Sequence, residues 1–484
     1  MPAIAGLLDW LLREDPRYRL VTQIFLRLLA LIYLIAFLST ALEITGLVGE
    51  RGILPAGLMQ AASLQRLGDW AWLRHPSLFW LNSSNWALLG ASYAGCLLAI
   101  GLFFNWRPRL MLVLLFALYL SFFQVGQVFF SFQWEFLLLE SGFIAIFLVN
   151  GPNRLLVFLL HWLLFRLRFL SGAAKLFGGD PSWSGLSALN HYFETQPLPH
   201  MGAWYAHQLP EWLLRAGTGA TLFIELVVPF FIFLPRPFRL FAAGVTIGIQ
   251  LLIMATSNHN FVNLLTIALC LFLLDDRAVR TLLPWRTAAP VRNAPAMPRG
   301  SLVQPLIALV LVSTSVATTY EMVRSDLRFA RNAPVNWVRG WGLGNVYHIF
   351  PTMQTERQEL VIEGSHDGKT WLAYDFRYKP DYPGDAPRLI MPIHPRLDWM
   401  LWFVPPQRER DRHWFGALLY RLHHNEPDVT ALLRHNPFAD KAPRYLRVLA
   451  YRYRFSTPAQ RERSGQVWQA QYLGVFPQVK PRRP

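Results

Sequence analysis

Nine long apolar blocks limit what this chain of 484 residues can fold into. They lie near 20–46, 85–104, 109–131, 135–150, 154–177, 217–234, 239–256, 259–275 and 301–320. Roughly 20 apolar residues wound as helix cover about 30 Å of hydrocarbon. Lipid offers the backbone no hydrogen-bond partner, so segments of this kind must close their own bonds as helices. With 53% hydrophobic and only 16% charged residues, the pattern predicts an all-α polytopic membrane domain of about nine transmembrane helices over 1–325. Its larger outer loops are 47–84 and 178–216. A mixed α/β, β-rich soluble outer domain is expected over 326–484.

The loop charges orient these spans. With the N-terminus inside, the inner segments hold thirteen arginines, among them Arg13, Arg107, Arg154, Arg236 and Arg277, against four in the outer segments: Arg51, Arg66, Arg74 and Arg215. That bias follows the positive-inside rule and places everything after about residue 321 on the periplasmic or lumenal side. The net charge of +16 therefore reports topology and an arginine-rich exterior, and nucleic acid is not an expected partner. Residues 20–46 are too long for a cleaved signal and read as a signal-anchor. The first 19 residues suit an amphipathic surface helix, the tryptophans of loop 47–84 suit interfacial anchors, and the Pro-, Ala- and Arg-rich stretch 284–300 reads as a linker.

The pattern changes from about residue 330. Arg357 to Glu363 and Trp371 to Tyr378 read as strands joined by the turn 364–368, residues 411–434 as helix interrupted near Glu426-Pro427, and 444–455 and 467–476 as extended. Tyr445, Arg447, Leu449, Tyr451, Tyr453 and Phe455 would share one strand face. The two cysteines, Cys96 and Cys270, both fall in predicted spans, so disulfides do not hold the outer domain together.

Lysine occurs only five times, and Lys175 alone precedes position 369. His161, Arg168 and Lys175 are spaced by seven, and successive members lie about 20° apart on one helix face. A charge facing lipid costs several kcal/mol, so this seam must point into the bundle or a wet cavity. Glu135, Glu140 and Glu225 are available counter-charges. Structural ion pairing and a functional cavity both fit this pattern. A buried lysine can lose its proton where arginine cannot, so Lys175, His161 and Glu225 are the candidate catalytic groups.

The loop after Lys175 concentrates polar and aromatic residues: Trp183-Ser-Gly185, His191-Tyr-Phe-Glu194-Thr-Gln196-Pro-Leu-Pro199 and Trp204-Tyr-Ala-His207-Gln-Leu-Pro210. A second outer turn, Ser257-Asn258-His259-Asn260 with Asn263 following, is rich in side-chain amides. Trp183, His191, Tyr192, Glu194, Gln196, His207, Asn258, Asn260 and Asn263 are the client- or substrate-facing candidates. His191, His200 and His207 do not form a ligand set of recognisable spacing, and no metal or cofactor is expected. Gly340-Trp-Gly-Leu-Gly344 does not complete GxGxxG, Ser171 and Lys175 do not form SxxK, and no GxSxG elbow occurs.

At these motifs the chain resembles the lipase maturation factor family. The likeness runs through Ser171-Gly-Ala-Ala-Lys175, Gly179-Asp-Pro-Ser-Trp183, Tyr192 to Pro199, Trp204 to Pro210, Phe223 to Phe230 and Asn260 to Thr266. In the outer domain it continues through Val361 to Ser365, Phe376 to Pro380, Arg396-Leu-Asp-Trp399 and Tyr451 to Phe455. The resemblance implies a membrane-embedded factor that assists folding or assembly of exported, lipase-type client proteins. The chain ends Lys480-Pro-Arg-Arg-Pro484 without an ER-retrieval signal, and its preference for arginine looks bacterial. The expected site is therefore a bacterial inner membrane with a periplasmic C-terminal domain, or the ER membrane with a lumenal one in a eukaryote. Gly172-Ala-Ala-Lys175, Asp180 and Trp183 also resemble, more distantly, the vitamin K-dependent carboxylase superfamily. That likeness implies the alternative of a membrane enzyme using Lys175 as a base on a lipid-soluble or lumenal substrate.

Overall fold

The computed structural model describes residues 2–282, 302–324 and 333–477. The linker expected at 284–300, the boundary expected at 325/326 and the tail from Lys480 lie outside them.

Each apolar block forms a helix: α1 (Arg19–Ala41), α2 (Asn85–Phe103), α3 (Pro108–Val125), α4 (Gln133–Leu148), α5 (Arg154–Phe177), α6 (Glu211–Leu226), α7 (Arg236–Thr256), α8 (Val262–Cys270) and α9 (Val303–Arg324). Their ends follow local chemistry. Ser84 and Asn153 cap α2 and α5 by accepting from Ala87 N and Leu156 N, at 3.4 and 2.9 Å. Pro108 occupies the first turn of α3, where its missing N–H costs nothing. The Asp276 carboxylate accepts from Leu20 N and Val21 N at 3.0 Å each, placing an anion at the positive end of α1.

Among the described residues, seven helices are long and apolar enough to cross a membrane, α6 by continuing to Phe233; α4 and α8 are shorter. The 16 residues of α4 rise only about 24 Å. Both short helices nevertheless run from one face of the bundle to the other. Asn150, just past α4, accepts from Arg109 at the start of α3, while Glu135 in its first turn meets the C-terminal domain. Asp275, just past α8, pairs with Arg236 at 2.5 Å, and Asn258 before it bonds to Arg388 and Ile390. The protein is thus an integral, multi-pass membrane protein in which the segments of α4 and α8 are met from one side by the C-terminal domain.

That domain carries a four-stranded antiparallel sheet in the order β2 (Leu372–Ala373), β1 (Arg357–Ser365), β3 (Tyr445–Phe455), β4 (Trp468–Val475). Arg357 faces Tyr453 and Ser365 faces Tyr445 in the β1–β3 register, and Phe455 faces Trp468 across β3–β4. The helix expected over 411–434 is α10 (Glu409–His423), then a separate turn at Pro427–Thr430. One expectation is corrected. The second strand stops at Ala373 because Asp375 pairs with His435 instead and Phe376 N turns to the Asp381 carboxylate. The bulge between β3 and β4 adds its extra residue, Leu473, to β4 and leaves the β1–β3 register unbroken, so Tyr445, Arg447, Leu449, Tyr451, Tyr453 and Phe455 share one face of β3 as expected. Both faces are covered at Val448, Leu449 and Ala450, while Tyr445 at the strand end is exposed.

Candidate functional site

The candidate residues converge on a buried polar seam where the C-terminal domain enters the helix bundle. Lys175, on the last turn of α5, is 3% exposed. Its Nζ lies 2.7 Å from Glu225 Oε2 and donates to Ser171 Oγ at 3.0 Å, Ser171 O at 3.2 Å and Ile349 O at 2.9 Å. The Trp183 ring stacks over the ammonium at 5.0 Å, and its indole N–H donates to Phe350 O at 3.2 Å. Arg168, two turns below on the same face, shares Glu225 at 3.3 Å. Gly172 makes this possible: a Cβ there would sit 2.8 Å from Glu225 Cβ, so only glycine lets α6 bring its carboxylate so close. His161 belongs elsewhere. It is about 21 Å along the helix from Lys175 and bonds to Phe272 O at 2.7 Å.

A second buried carboxylate receives the entering chain. Glu140 of α4 is paired with Arg166 of α5 and accepts from Gly344 N at 3.1 Å and Tyr347 Oη at 3.0 Å. Arg166 in turn donates to Asn345 O at 3.0 Å. Residues 342–350 therefore thread between α4, α5 and α9, with Thr318 of α9 donating to Gly344 O. Gly342 and Gly344 have φ of +76° and +64°, and a Cβ at Gly344 would meet Thr314 at 2.7 Å. The glycine-rich run Gly340–Gly344, which completes no nucleotide motif, is a close-approach segment inside the bundle.

Glu135 supplies a third anchor. It pairs with Arg396 at 2.5 Å and with the Tyr119 hydroxyl. Arg396 is fully buried, donates to Phe129 O at 2.8 Å and lies 3.6 Å over the Phe130 ring. Arg396 N also reaches Glu43 at 2.5 Å, and burial pushes that carboxyl up to about 8. Glu135 therefore answers the C-terminal domain, not the α5 seam.

The loop residues face the same junction. Arg357 of β1 donates to Glu194 O and Pro197 O at 3.2 and 3.0 Å and also to Gln196 O. Glu194 accepts from Phe455 N at 2.7 Å and sits 3.7 Å from His207. Tyr192 Oη bonds to His259 Nε2 and Ser257 Oγ at 2.9 Å each, and burial holds His259 down at about 4, so it is neutral. Asn258 uses both ends of its amide: Nδ2 donates to Leu198 O and Arg388 O at 3.0 and 2.8 Å, while Oδ1 accepts from Ile390 N and Met391 N at 2.8 and 3.1 Å. The Gln196 amide donates to Thr256 O at 3.0 Å. Asn260 Oδ1 accepts from Val262 N at 2.9 Å just before α8, and Asn263 is buried beside it.

Trp183, Tyr192, Gln196, Asn258, Asn260 and Asn263 are thus buried at the junction; His191, Glu194 and His207 are half-buried at its edge. His200 caps Gly202 N and points at Met254 O, away from His207's partner Glu194. Among the described residues, no three His, Cys, Asp or Glu side chains gather as a metal site would require. Sequence reasoning did not single out Arg166, Arg357 or Arg396 as site residues. The one available signal was that Arg396 falls within a family-like stretch.

The two halves of this junction coincide with two family matches. Residues 20–281 match the lipase maturation factor transmembrane domain, and residues 343–477 match the lipase maturation factor C-terminal domain. Lipase maturation factor 2 of Xenopus tropicalis is 31% identical, over 95% of this chain and 82% of its own length. Lipase maturation factor 1 of Mus musculus is 32% identical over 94% and 86%, and that of Homo sapiens 31% identical over the same shares. No solved structure matches the chain. The chain, from its first span to the last strand of its sheet, belongs to the lipase maturation factor family.

Proposed function

We propose that this protein is a membrane-embedded maturation factor that assists folding or assembly of exported, lipase-type client proteins, its C-terminal domain facing the periplasm or a lumen. The relation to lipase maturation factors 1 and 2 over 94% to 95% of the chain carries the reading. The geometry agrees with it. The nine candidate loop residues lie at or beside an interlocked junction that fixes the shape of the C-terminal face, and His191, Glu194 and His207 reach its edge. In this reading the buried members hold the face and the edge residues meet the client.

The test uses an intact host and its deletion strain. The secreted lipase should lose specific activity on deletion while its amount stays constant. A photo-crosslinker at exposed Tyr205 or Tyr472 should recover that lipase. Exported hydrolases that remain fully active, with no crosslinked exported polypeptide, would overturn the proposal.

The enzymatic alternative makes Lys175 a base. The arrangement favours a latch instead: the ammonium is committed to Glu225, Ser171 and Ile349 and is closed off by Trp183. Lys175→Arg keeps the charge and removes a usable base, so full function in that variant excludes base catalysis.

A further inference from the structure

Beside the junction, an open cleft of about 940 Å³ lies between the helix Ala56–Leu67 and α10. Its size falls within the roughly 300–1,000 Å³ of small-ligand sites. The lining is apolar at Ile53, Leu54, Leu58 and Met59, of which Ile53 and Leu54 are buried and Leu58 exposed, and cationic at Arg66, Arg74 and Arg421. Among the described residues, no carboxylate lines it. Arg421 has Glu426 at 3.8 Å, Arg74 donates to Asn336 O at 3.1 Å, and Arg66 has no ion pair among the described residues. A second cleft of about 450 Å³ shares Leu67 and Arg74 and continues over Trp70, Leu73 and Trp337.

The level of this cleft relative to a bilayer follows from its neighbours. Gln127, in its wall, comes two residues after α3 ends, and the helix Ala56–Leu67 packs beside α3. Trp86, in the first turn of α2, is 86% exposed, Trp70 72% and Leu81 81%, with Trp72, Leu73 and Trp337 also exposed. Exposed tryptophans at span ends mark the headgroup layer. A cleft lined by apolar side chains and arginines at that depth complements a phosphodiester with acyl chains attached.

We propose that this cleft binds an anionic phospholipid, its phosphate held by Arg66 and Arg421 and its chains running past Arg74 onto Trp70, Leu73 and Trp337. The experiment uses the full-length protein released from vesicles of phosphatidylcholine with a minority of phosphatidylglycerol, and reads retained lipid by native mass spectrometry. Phosphatidylglycerol should be enriched over its share in the vesicle. The enrichment should fall at least about fivefold in Arg66→Gln/Arg421→Gln, persist largely in Arg66→Lys/Arg421→Lys, and be unchanged in Arg463→Gln, an exposed arginine on a separate helix. Independently of any variant, photoactivatable phosphatidylglycerol should crosslink the unsubstituted protein within 53–75 and 413–421. Equal retention of both lipids, equal loss in Arg463→Gln, crosslinks confined to other segments, or a polypeptide in place of lipid in the cleft would each overturn the proposal.

Discussion

Replacing Glu225 tests whether the Lys175 cluster is a structural latch. In the folded protein one carboxylate faces two cations, Lys175 at 2.7 Å and Arg168 at 3.3 Å, and all three side chains are at most 7% exposed. Glu225→Gln removes the only negative charge in the cluster and leaves two buried cations opposed. Removing one partner from a buried pair costs about 3–5 kcal/mol. Lys175→Met is different: it leaves Glu225 balanced by Arg168. Its cost is the lost partner of Ile349 O and Ser171, about 1–3 kcal/mol. Cys270 gives the readout, since it is fully buried in α8, which packs on α5. In a Cys96→Ser background, with opening fast relative to thiol labelling, the labelling rate follows the open population. At about 1.4 kcal/mol per factor of ten, Glu225→Gln should accelerate Cys270 labelling roughly 10²- to 10⁴-fold, and Lys175→Met by clearly less. If Lys175→Met equals or exceeds Glu225→Gln, or if Glu225→Gln leaves the rate within about threefold, the charge-balance reasoning fails.

Three further perturbations probe the same architecture. Arg396→Met strands Glu135 in the bundle at a cost of about 3–5 kcal/mol, and Arg396→Lys should not rescue it. An ammonium cannot reach Glu135 and Phe129 O while stacking on Phe130 as the planar guanidinium does; limited proteolysis releasing the C-terminal domain would register both. His259, held at about 4 when folded against about 6.5 unfolded, is protonated more in the unfolded state between these values. Its neutral state therefore opposes folding increasingly as pH falls below 6.5, by about 2 kcal/mol at about pH 5. Glu43 at about 8 and Asp381 at about 6 act in the opposite sense. The expected result is therefore a difference: from about pH 7.5 to 5, denaturant stability should fall about 2 kcal/mol more in the unsubstituted protein than in His259→Gln. Parallel pH profiles would refute it. Gly142→Val puts a side chain against the Tyr33 hydroxyl of α1 and should lower stability by about 1–3 kcal/mol, seen as a reduced thermal midpoint.

The helix bundle was legible because hydropathy is a local property: every block that could not remain unpaired in lipid became a helix, including α4, which has the length of its block, and α8, whose length the apolar pattern overstated. The heptad spacing of Arg168 and Lys175 likewise fixed a common face without any fold, since helical geometry alone decides it. The charge partners were a different matter. Glu135, Glu140 and Glu225 look equivalent in sequence as acids in apolar helices, yet one meets Arg396 over a separation of 261 residues, one takes Arg166 with Gly344 and Tyr347, and one holds Lys175 and Arg168. Desolvation demands that each buried charge find a partner, but only the path of the chain determines which one. Family-like stretches identified the loop and the Arg396 region as belonging together. It took the tertiary structure to turn Trp183, Tyr192 and Asn258 inward as the lock between two domains, because burial depends on what packs against a residue from far along the chain.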